Sequence, residues 1–599
     1  MRKLLFILVL GAALLGAPVT ARPSADLAAL ARFFPPQAPI FGVIRADDGY
    51  IETLDGLIAR VLSKFPADAV PPGLSLRAAL DQLAGEAGVG DFRSSIRPWL
   101  GDRLAFGILT LDSLDAAPPA FVIAADVRDR AAAEAFWQGL LERSNATFTE
   151  VRDGSYTLYA MDASDPERGG LLITDEVLLL GVGNLRRLLV TREARLNQAP
   201  AFTGTLDLLP AGDYNALLYL DLPSIMAANN DAGTRMLAGA VGPAAIGLTL
   251  LDGRSLVADI GIARSAANPL AAMGFELPSA QPIDPAFAAQ LPARTSLLVQ
   301  AANVNTLFES FLAAARLSGS TSDQEFERGL NQLRLSVRGV TGLRLEEDIL
   351  DWMTGDYALF VTIDQQAIRR LITQALMDET PALAALPLGF GLVVEATDPA
   401  KARALAAGLG QALPQLVAQA PEVTITAAAI GGEDVTVIRV DAPLDPARMP
   451  PLEIVIGAND SVFLIATRPE AKAILSGIPG LNQDAAYAAA ARYLLDDATT
   501  VWYMDSGGSA VILTIGALTM MGPVIGNVFD EIMATVDSPS ALPTISPEEI
   551  RRRQQEQQRQ QVRQVEDIFQ ALAAVWDSGT ISTSSEAGGD RIRFVLTLP

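Results

Sequence analysis

The chain has no cysteine and no histidine in 599 residues, and only four lysines (Lys3, Lys64, Lys401 and Lys472) among its 45 basic side chains. The first two absences exclude disulfides, thiolate nucleophiles, Cys/His zinc sites, imidazole bases and a lipid carried on an N-terminal cysteine. Scarce lysine with abundant alanine reads as GC-rich coding, and no arginine-specific role follows from it. Positive charge is outnumbered, with 69 acids and a formal net charge of −24, so the chain is no generic phosphate-backbone binder and no nucleic-acid partner is expected. Serine-hydrolase signatures are missing too, since neither G-x-S-x-G nor S-x-x-K occurs.

Half of the residues are apolar and 19% are charged, which excludes a disordered chain. The length calls for about three to five packing units. At the N-terminus, Arg2 and Lys3 precede an uninterrupted apolar run from Leu4 to Leu15, followed by the small residues Val19-Thr20-Ala21. That run is too short to span a bilayer comfortably, so residues 1–21 read as a signal peptide cleaved between Ala21 and Arg22. The expected location is extracellular or in the cell envelope, outside the cytoplasmic membrane. An uncleaved N-terminal anchor is the alternative. The sequons at Asn145 and Asn459 read as accidental matches.

The chain repeats itself. Trp99-Leu100-Gly101-Asp102 leading into a strand reappears as Trp352-Met353-Thr354-Gly355-Asp356. Leu196-Asn197-Gln198 with Ala201-Phe202 reappears as Leu481-Asn482-Gln483 with Ala486-Tyr487, and Tyr219-Leu220-Asp221 as Tyr503-Met504-Asp505. Phe34-Pro35 before Ile40–Ile44 matches Leu291-Pro292 before Leu297–Ala301. Four blocks in one order imply tandem duplication. The first unit is placed at 28–266, a Pro-rich junction at 267–285, and the second unit at 286–599 with a helical insertion at about 538–577. Strand-then-helix steps (Phe121–Ala125 into Ala131–Leu141, Gly391–Val394 into Ala400–Leu413) alternate with hairpins, one of them turning at Asp153-Gly154. The fold class read from this is α+β, each unit an antiparallel sheet with packed helices.

These Trp-Leu-Gly-Asp, Leu-Asn-Gln…Ala-Phe and Tyr-Leu-Asp segments resemble a bacterial exported family catalogued as domain of unknown function 3352. The resemblance covers nearly all of the mature chain and implies export and architecture. The family has no assigned activity, so no functional residue carries over.

Each candidate site has a plainer reading. The Trp99 and Trp352 turns suggest a ligand platform, but their recurrence favours buried indoles closing a corner, with the following Asp satisfying local backbone donors. Gly181-Val182-Gly183-Asn184-Leu185-Arg186-Arg187 lies where a phosphate would bind, yet it lacks a third glycine and its counterpart Ala466–Pro469 has none. Asp47-Asp48, Glu346-Glu347-Asp348 and Asp496-Asp497 are dense enough for a two-carboxylate hydrolase, and a solvated acidic surface explains them equally. The oxygen-rich runs at Asp162–Glu167 and Asn229–Asp231 do not fit a calcium loop. No catalytic, cofactor or metal residue is assigned.

Two segments suggest contacts outside the chain. Ala510–Val528 is uncharged over nineteen residues but is interrupted by Gly516, Gly522, Pro523 and Gly526. With its counterpart Ile225–Ala245 it reads as an apolar helix pair, and a peripheral membrane contact is its alternative. After a Pro-rich stretch, Arg551–Gln561 is polar on every face, and an apolar stripe runs from Val562 to Val575. The 551–577 helix is therefore the best candidate for a protein or envelope partner. The expected function is a non-enzymatic interaction or binding protein. The alternatives are a carboxylate-dependent hydrolase acting on an extracytoplasmic polymer, or a carrier of an apolar ligand.

Overall fold

Consecutive buried residues fill the strands Tyr156–Ala160 and Gly169–Ile173, which are covered on both faces, while strands such as Ser255–Arg264 and Asp356–Ile363 alternate buried and more exposed positions. The structure is a computed structural model describing residues 22–64, 75–86, 88–111, 120–143, 148–161, 169–190, 195–210, 213–229, 231, 234, 238–251, 254–265, 280–317, 323–368, 370, 386–418, 420–441, 450–477, 479–509, 576–586 and 588–598. The expected signal peptide 1–21, the uncharged run 510–528 and the 551–575 part of the proposed partner helix lie outside them, as does nearly all of the proposed insertion at 538–577. The chain forms two compact units, one running to Glu276 and including Thr583–Leu598, the other spanning Leu277–Ser582.

In the first unit the strands are β1 (Ile40–Arg45), β2 (Leu100–Ile108), β3 (Phe121–Val127), β4 (Thr149–Asp153), β5 (Tyr156–Ala160), β6 (Gly169–Ile173), β7 (Val177–Val182), β8 (Ala216–Leu220), β9 (Val241–Leu251) and β10 (Ser255–Arg264). The second unit holds β11 (Thr295–Ala302), β12 (Asp356–Ile363), β13 (Leu388–Glu395), β14 (Val423–Ile430), β15 (Glu433–Val440), β16 (Leu452–Ala458), β17 (Val462–Thr467) and β18 (Thr500–Asp505). Pairing in the first unit runs β8-β1-β2-β3-β7-β6-β5-β4. In the second it runs β18-β11-β12-β13-β17-β16-β15-β14, the same order strand for strand. Every one of these pairs is antiparallel, so the α+β reading with antiparallel sheets holds.

The first unit extends further. β9 and β10 continue its sheet beyond β8, and β10 then pairs along its length with β19 (Gly589–Thr597). The boundaries read from sequence placed everything from 286 to 599 in the second unit; residues Thr583–Leu598 instead belong to the first. The reason is register: nine consecutive residues of β19, Gly589 to Thr597, face Ala263 to Ser255. Within Ile225–Ala245 one helix ends at Ala227 and Val241 already begins β9, so Val241–Ala245 is strand, not helix.

Alternating strand residues feed a core on each face of the sheet in each unit. In the first, Leu158, Leu172 and Leu179 join Phe34, Phe41 and Phe202 on one face, while Tyr159, Leu171 and Leu178 join Trp99 and Ala133 on the other. In the second, Val393, Val455 and Leu464 lie on one face, and Val394, Ile456 and Phe463 meet Trp352 and Leu405 on the other. Aspartates start the helices that supply these layers. Asp47 accepts the Tyr50 N–H, Asp129 that of Ala132, and Asp398, ahead of Pro399, those of Ala400 and Lys401.

Turns follow local chemistry. Gly431 and Gly432 carry φ of 64° and 91° between β14 and β15, the two-residue hairpin turn with both central residues left-handed. Between β4 and β5 the paired residues are Asp153 and Tyr156, so the loop is Gly154-Ser155, one residue later than expected. Gly181 has a packing role: a Cβ there would run into the Phe121 carbonyl oxygen and stand 2.9 Å from Val122 Cα. Gly181→Ala is expected to cost about 1–3 kcal/mol through this overpacking. Gly204→Ala, where a Cβ meets nothing, is expected to gain about 0.5–1 kcal/mol from helix propensity. Urea midpoints of the two variants should move in opposite directions, and a neutral Gly181→Ala contradicts the close strand approach.

Candidate functional site

The tryptophan corners are structural and alike. Trp99 is 5% exposed and donates its indole N–H to the Ser95 carbonyl; Trp352 is 2% exposed and donates to the Asp348 carbonyl. The aspartates after them differ, and neither is a local cap. Asp102 pairs with Arg128 at 3.1 Å and Arg97 at 3.7 Å. Asp356 is buried and accepts Gln300 Nε2–H at 2.6 Å and the Asp284 N–H at 2.9 Å.

The glycine-rich segment offers no phosphate loop. Gly181 and Val182 are the end of β7, and Asn184 Oδ1 accepts the Arg187 N–H at the start of a six-residue helix. Acid clusters are internally bonded as well. Asp47 accepts from Arg45 Nε at 2.7 Å and Asp48 from Arg97 Nε at 2.9 Å. Glu346 pairs with Arg334 and Asp348 with Arg344 in a two-pronged contact, which holds the Asp348 carboxyl well below the usual carboxylate range. Asn229 Oδ1 accepts the Asp231 N–H in an ordinary Asx turn, and Asp231 accepts from Thr234 N–H and Oγ1–H. Among the described residues no group of three acids could hold a metal ion, and no helix is long and apolar enough to cross a membrane.

Carboxylates do gather in a cavity of about 470 Å³ in the second unit, lined in part by Arg294, Ser296, Asp364, Asp484, Tyr503 and Asp505. Asp505 ends β18. Its carboxylate accepts Ser296 Oγ–H at 2.9 Å and the Gly508 N–H at 2.6 Å, while burial raises its pKa against those bonds. Burial, then the charges of Asp484 and Asp505, push the Tyr503 hydroxyl upward as well. Asp484 caps the helix Ala485–Ala491 through the Ala486 and Tyr487 N–H groups, and Asp364 accepts the Ala367 N–H. At the rim, Arg294 donates to Glu470 at 2.5 Å; Glu470 is 2% exposed and also accepts Thr362 Oγ1–H and Thr467 Oγ1–H.

Of the four aspartates lining the cavity, Asp364, Asp484 and Asp505 thus accept from donors of the chain itself, and Asp577 is the fourth. A hydrolase would need one carboxylate free to take a proton and another to give one. Asp505 with Ser296, and Glu470 with Arg294, escaped the sequence reading because each pairs residues far apart in the chain. The one local signal was Thr467-Arg468-Pro469-Glu470, a Ser/Thr-x-x-Glu spacing at a helix start. Its hydroxyl donates to the carboxylate and accepts the Phe390 N–H of the neighbouring strand, not an N–H of its own helix.

Asp356 supplies a pH dependence. Burial raises its pKa from 3.8 to about 6, opposed by the bonds from Gln300 and Asp284. The folded chain therefore binds more protons than the unfolded chain between pH 4 and 6. Stability from this group is complete below pH 4 and falls as pH rises through 6, by on the order of 2–3 kcal/mol. Asp356→Asn should remove that fall, read as the difference in urea midpoint from the parent at pH 4 to 7. A difference that stays constant across the range contradicts it.

No curated protein and no solved structure matches the chain. A family model described as "Protein of unknown function (DUF3352)" matches residues 4–443, which stops short of β16, so the family likeness covers less than the nearly complete mature chain expected from sequence. On that match, over well more than half of its length, the chain belongs to the DUF3352 family of proteins of unknown function.

Proposed function

We propose that the protein is an exported binding protein that carries out no chemistry of its own, built by tandem duplication of one α+β unit. The observation that supports the first part is the acidic cavity, where three of the four lining aspartates, Asp364, Asp484 and Asp505, are each bonded to backbone or hydroxyl donors. A chain without imidazole or thiol has few other means of proton transfer. Duplication is supported by the identical strand pairing order and by two indole-to-carbonyl bonds four residues back. Export rests on the N-terminal segment, with cleavage between Ala21 and Arg22, and the 551–577 segment remains the proposed contact for an envelope partner.

A second reading, transport of an apolar ligand, has its own observation. Trp502, Val299, Leu359 and Leu392 stand in register across β18, β11, β12 and β13. Trp502 is 51% and Leu359 52% exposed, and Leu388 and Phe390 nearby are exposed too. Antiparallel sheets that face water present polar residues there; this row is apolar.

Recovery from the extracytoplasmic fraction followed by native mass spectrometry tests both readings. The expected result is an intact mass starting at Arg22, a non-covalently bound small molecule, and no turnover in a hydrolase screen. Turnover abolished by Asp505→Asn overturns the non-catalytic reading.

A further inference from the structure

The four aspartates that line the cavity of about 470 Å³ in the second unit, Asp364, Asp484, Asp505 and Asp577, share one property. None of them forms an ion pair with a described residue. The acid clusters elsewhere are answered by arginine, as at Asp47, Asp48, Glu346 and Asp348. In the cavity every bond to a carboxylate oxygen comes from a neutral group. Asp505 takes Ser296 Oγ–H on one oxygen and the Gly508 N–H on the other. Asp484 and Asp364 take backbone N–H groups on Oδ1 alone, and their Oδ2 atoms have no partner among the described residues. Neutral donors fix where a carboxylate points and leave its charge unanswered. Arg294, the cation of the described wall, is already held by buried Glu470.

A second observation points into the same space. Tyr503 lines the cavity and is 3% exposed, with its ring edge-on to that of Tyr487 at 5.1 Å. Its hydroxyl has no hydrogen-bond partner among the described residues, whereas a buried phenol ordinarily finds one. Burial first, and then the charges of Asp484 and Asp505, raise its pKa. The hydroxyl therefore stands near both carboxylates and bonds to neither, so a ligand N–H placed among them meets acceptors on every side. The first unit repeats the tyrosine as Tyr219, but after Leu196-Asn197-Gln198 it has Ala199 where the second unit has Asp484. This arrangement of charge around the hydroxyl belongs to the second unit.

We propose that the cavity binds an aliphatic polyamine, one ammonium group seated among Asp484, Asp505 and the Tyr503 hydroxyl and its further ammonium groups against the remaining aspartates. The acids do not converge as a metal requires, for no group of three among the described residues could hold an ion. Their charge is spread along the wall, which suits a ligand whose own charges are spaced. Each ammonium offers three N–H donors to groups that only accept, in charge-assisted bonds. An ammonium beside Asp505 also offsets the burial that raises that carboxyl's pKa. The volume falls in the range of ordinary small-molecule sites, about 300–1,000 Å³. The inference rests on the non-catalytic binding function and gives that function a ligand class and a place.

Calorimetric titration of the mature full chain with spermidine tests it, at physiological ionic strength so that diffuse attraction to an acidic chain is screened. The comparison probes are n-butylamine and calcium. The variants are Asp484→Asn, which keeps the helix-capping oxygen, Tyr503→Phe, and Asp460→Asn, an equal loss of charge at a side chain 86% exposed and outside the cavity. Thermal melts of each are checked against the parent. Spermidine should bind saturably, and butylamine and calcium at least tenfold more weakly. Asp484→Asn should weaken spermidine about tenfold, the size of one lost charge-assisted contact. Tyr503→Phe should weaken it about three- to tenfold, the size of one neutral hydrogen bond, and Asp460→Asn should leave it unchanged. Absence of saturable binding, calcium binding as tight as spermidine, or equal binding by the parent, Asp484→Asn and Tyr503→Phe overturns the proposal. If that happens while the hydrolase screen still shows no turnover, this ligand class is lost and the non-catalytic reading stands.

Discussion

The buried pair between Arg593 and Asp259 holds the end of the chain against a strand more than three hundred residues earlier. Arg593 Nε donates to one carboxylate oxygen at 2.6 Å and Nη2 to the other at 2.9 Å, with Asp259 1% exposed. The Tyr214 hydroxyl donates to the same carboxylate at 2.7 Å, and burial raises its pKa strongly. Removing one member of such a pair strands a buried charge, at a cost of about 3–5 kcal/mol. The pair therefore specifies which residues of β19 face which of β10, and a one-residue slip would turn every side chain of β19 over. A contact so long-range also forms late, since its loop entropy is overcome only once the intervening chain is in place.

Scarcity of other cations shapes the remainder. With no histidine and four lysines, buried or half-buried acids are matched by arginine, by hydroxyls or by backbone N–H groups at helix starts. Asp47, Asp398 and Asp484 are caps, Glu470 is held by two threonines and Arg294, and Asp126 takes Arg103. Where burial outweighs such partners, as at Asp356 and Asp505, the carboxyl is pushed toward its neutral form. These acids go into building the fold, so acid density in the sequence does not by itself mark a site.

Features with a local cause were legible from residues alone. The Asp398-Pro399 helix start, the hairpins and the indole corners each depend on residues within a few positions, and the structure places them as read, apart from a one-residue shift at Gly154-Ser155. What was not legible depends on distant partners. Nothing in Gly589–Thr597 names β10 as its neighbour, and its apolar alternation fits several sheets. Val241–Ala245 misled because an apolar run rich in alanine and glycine fits helix and strand alike. The acidic cavity is assembled from five separated segments, so Asp505 with Ser296 had no spacing to recognise.

Hydrogen exchange on the chain truncated after Glu586 tests the closing strand most directly. Loss of Gly589–Thr597 should expose the β10 amides and the Asp259 carboxylate, cutting protection across β9 and β10 while Val455 in β16 and Leu464 in β17 keep theirs. The first unit would then melt ahead of the second. Unchanged protection in β10 would contradict the account, because the first unit's sheet would then be complete without the strand that ends the chain.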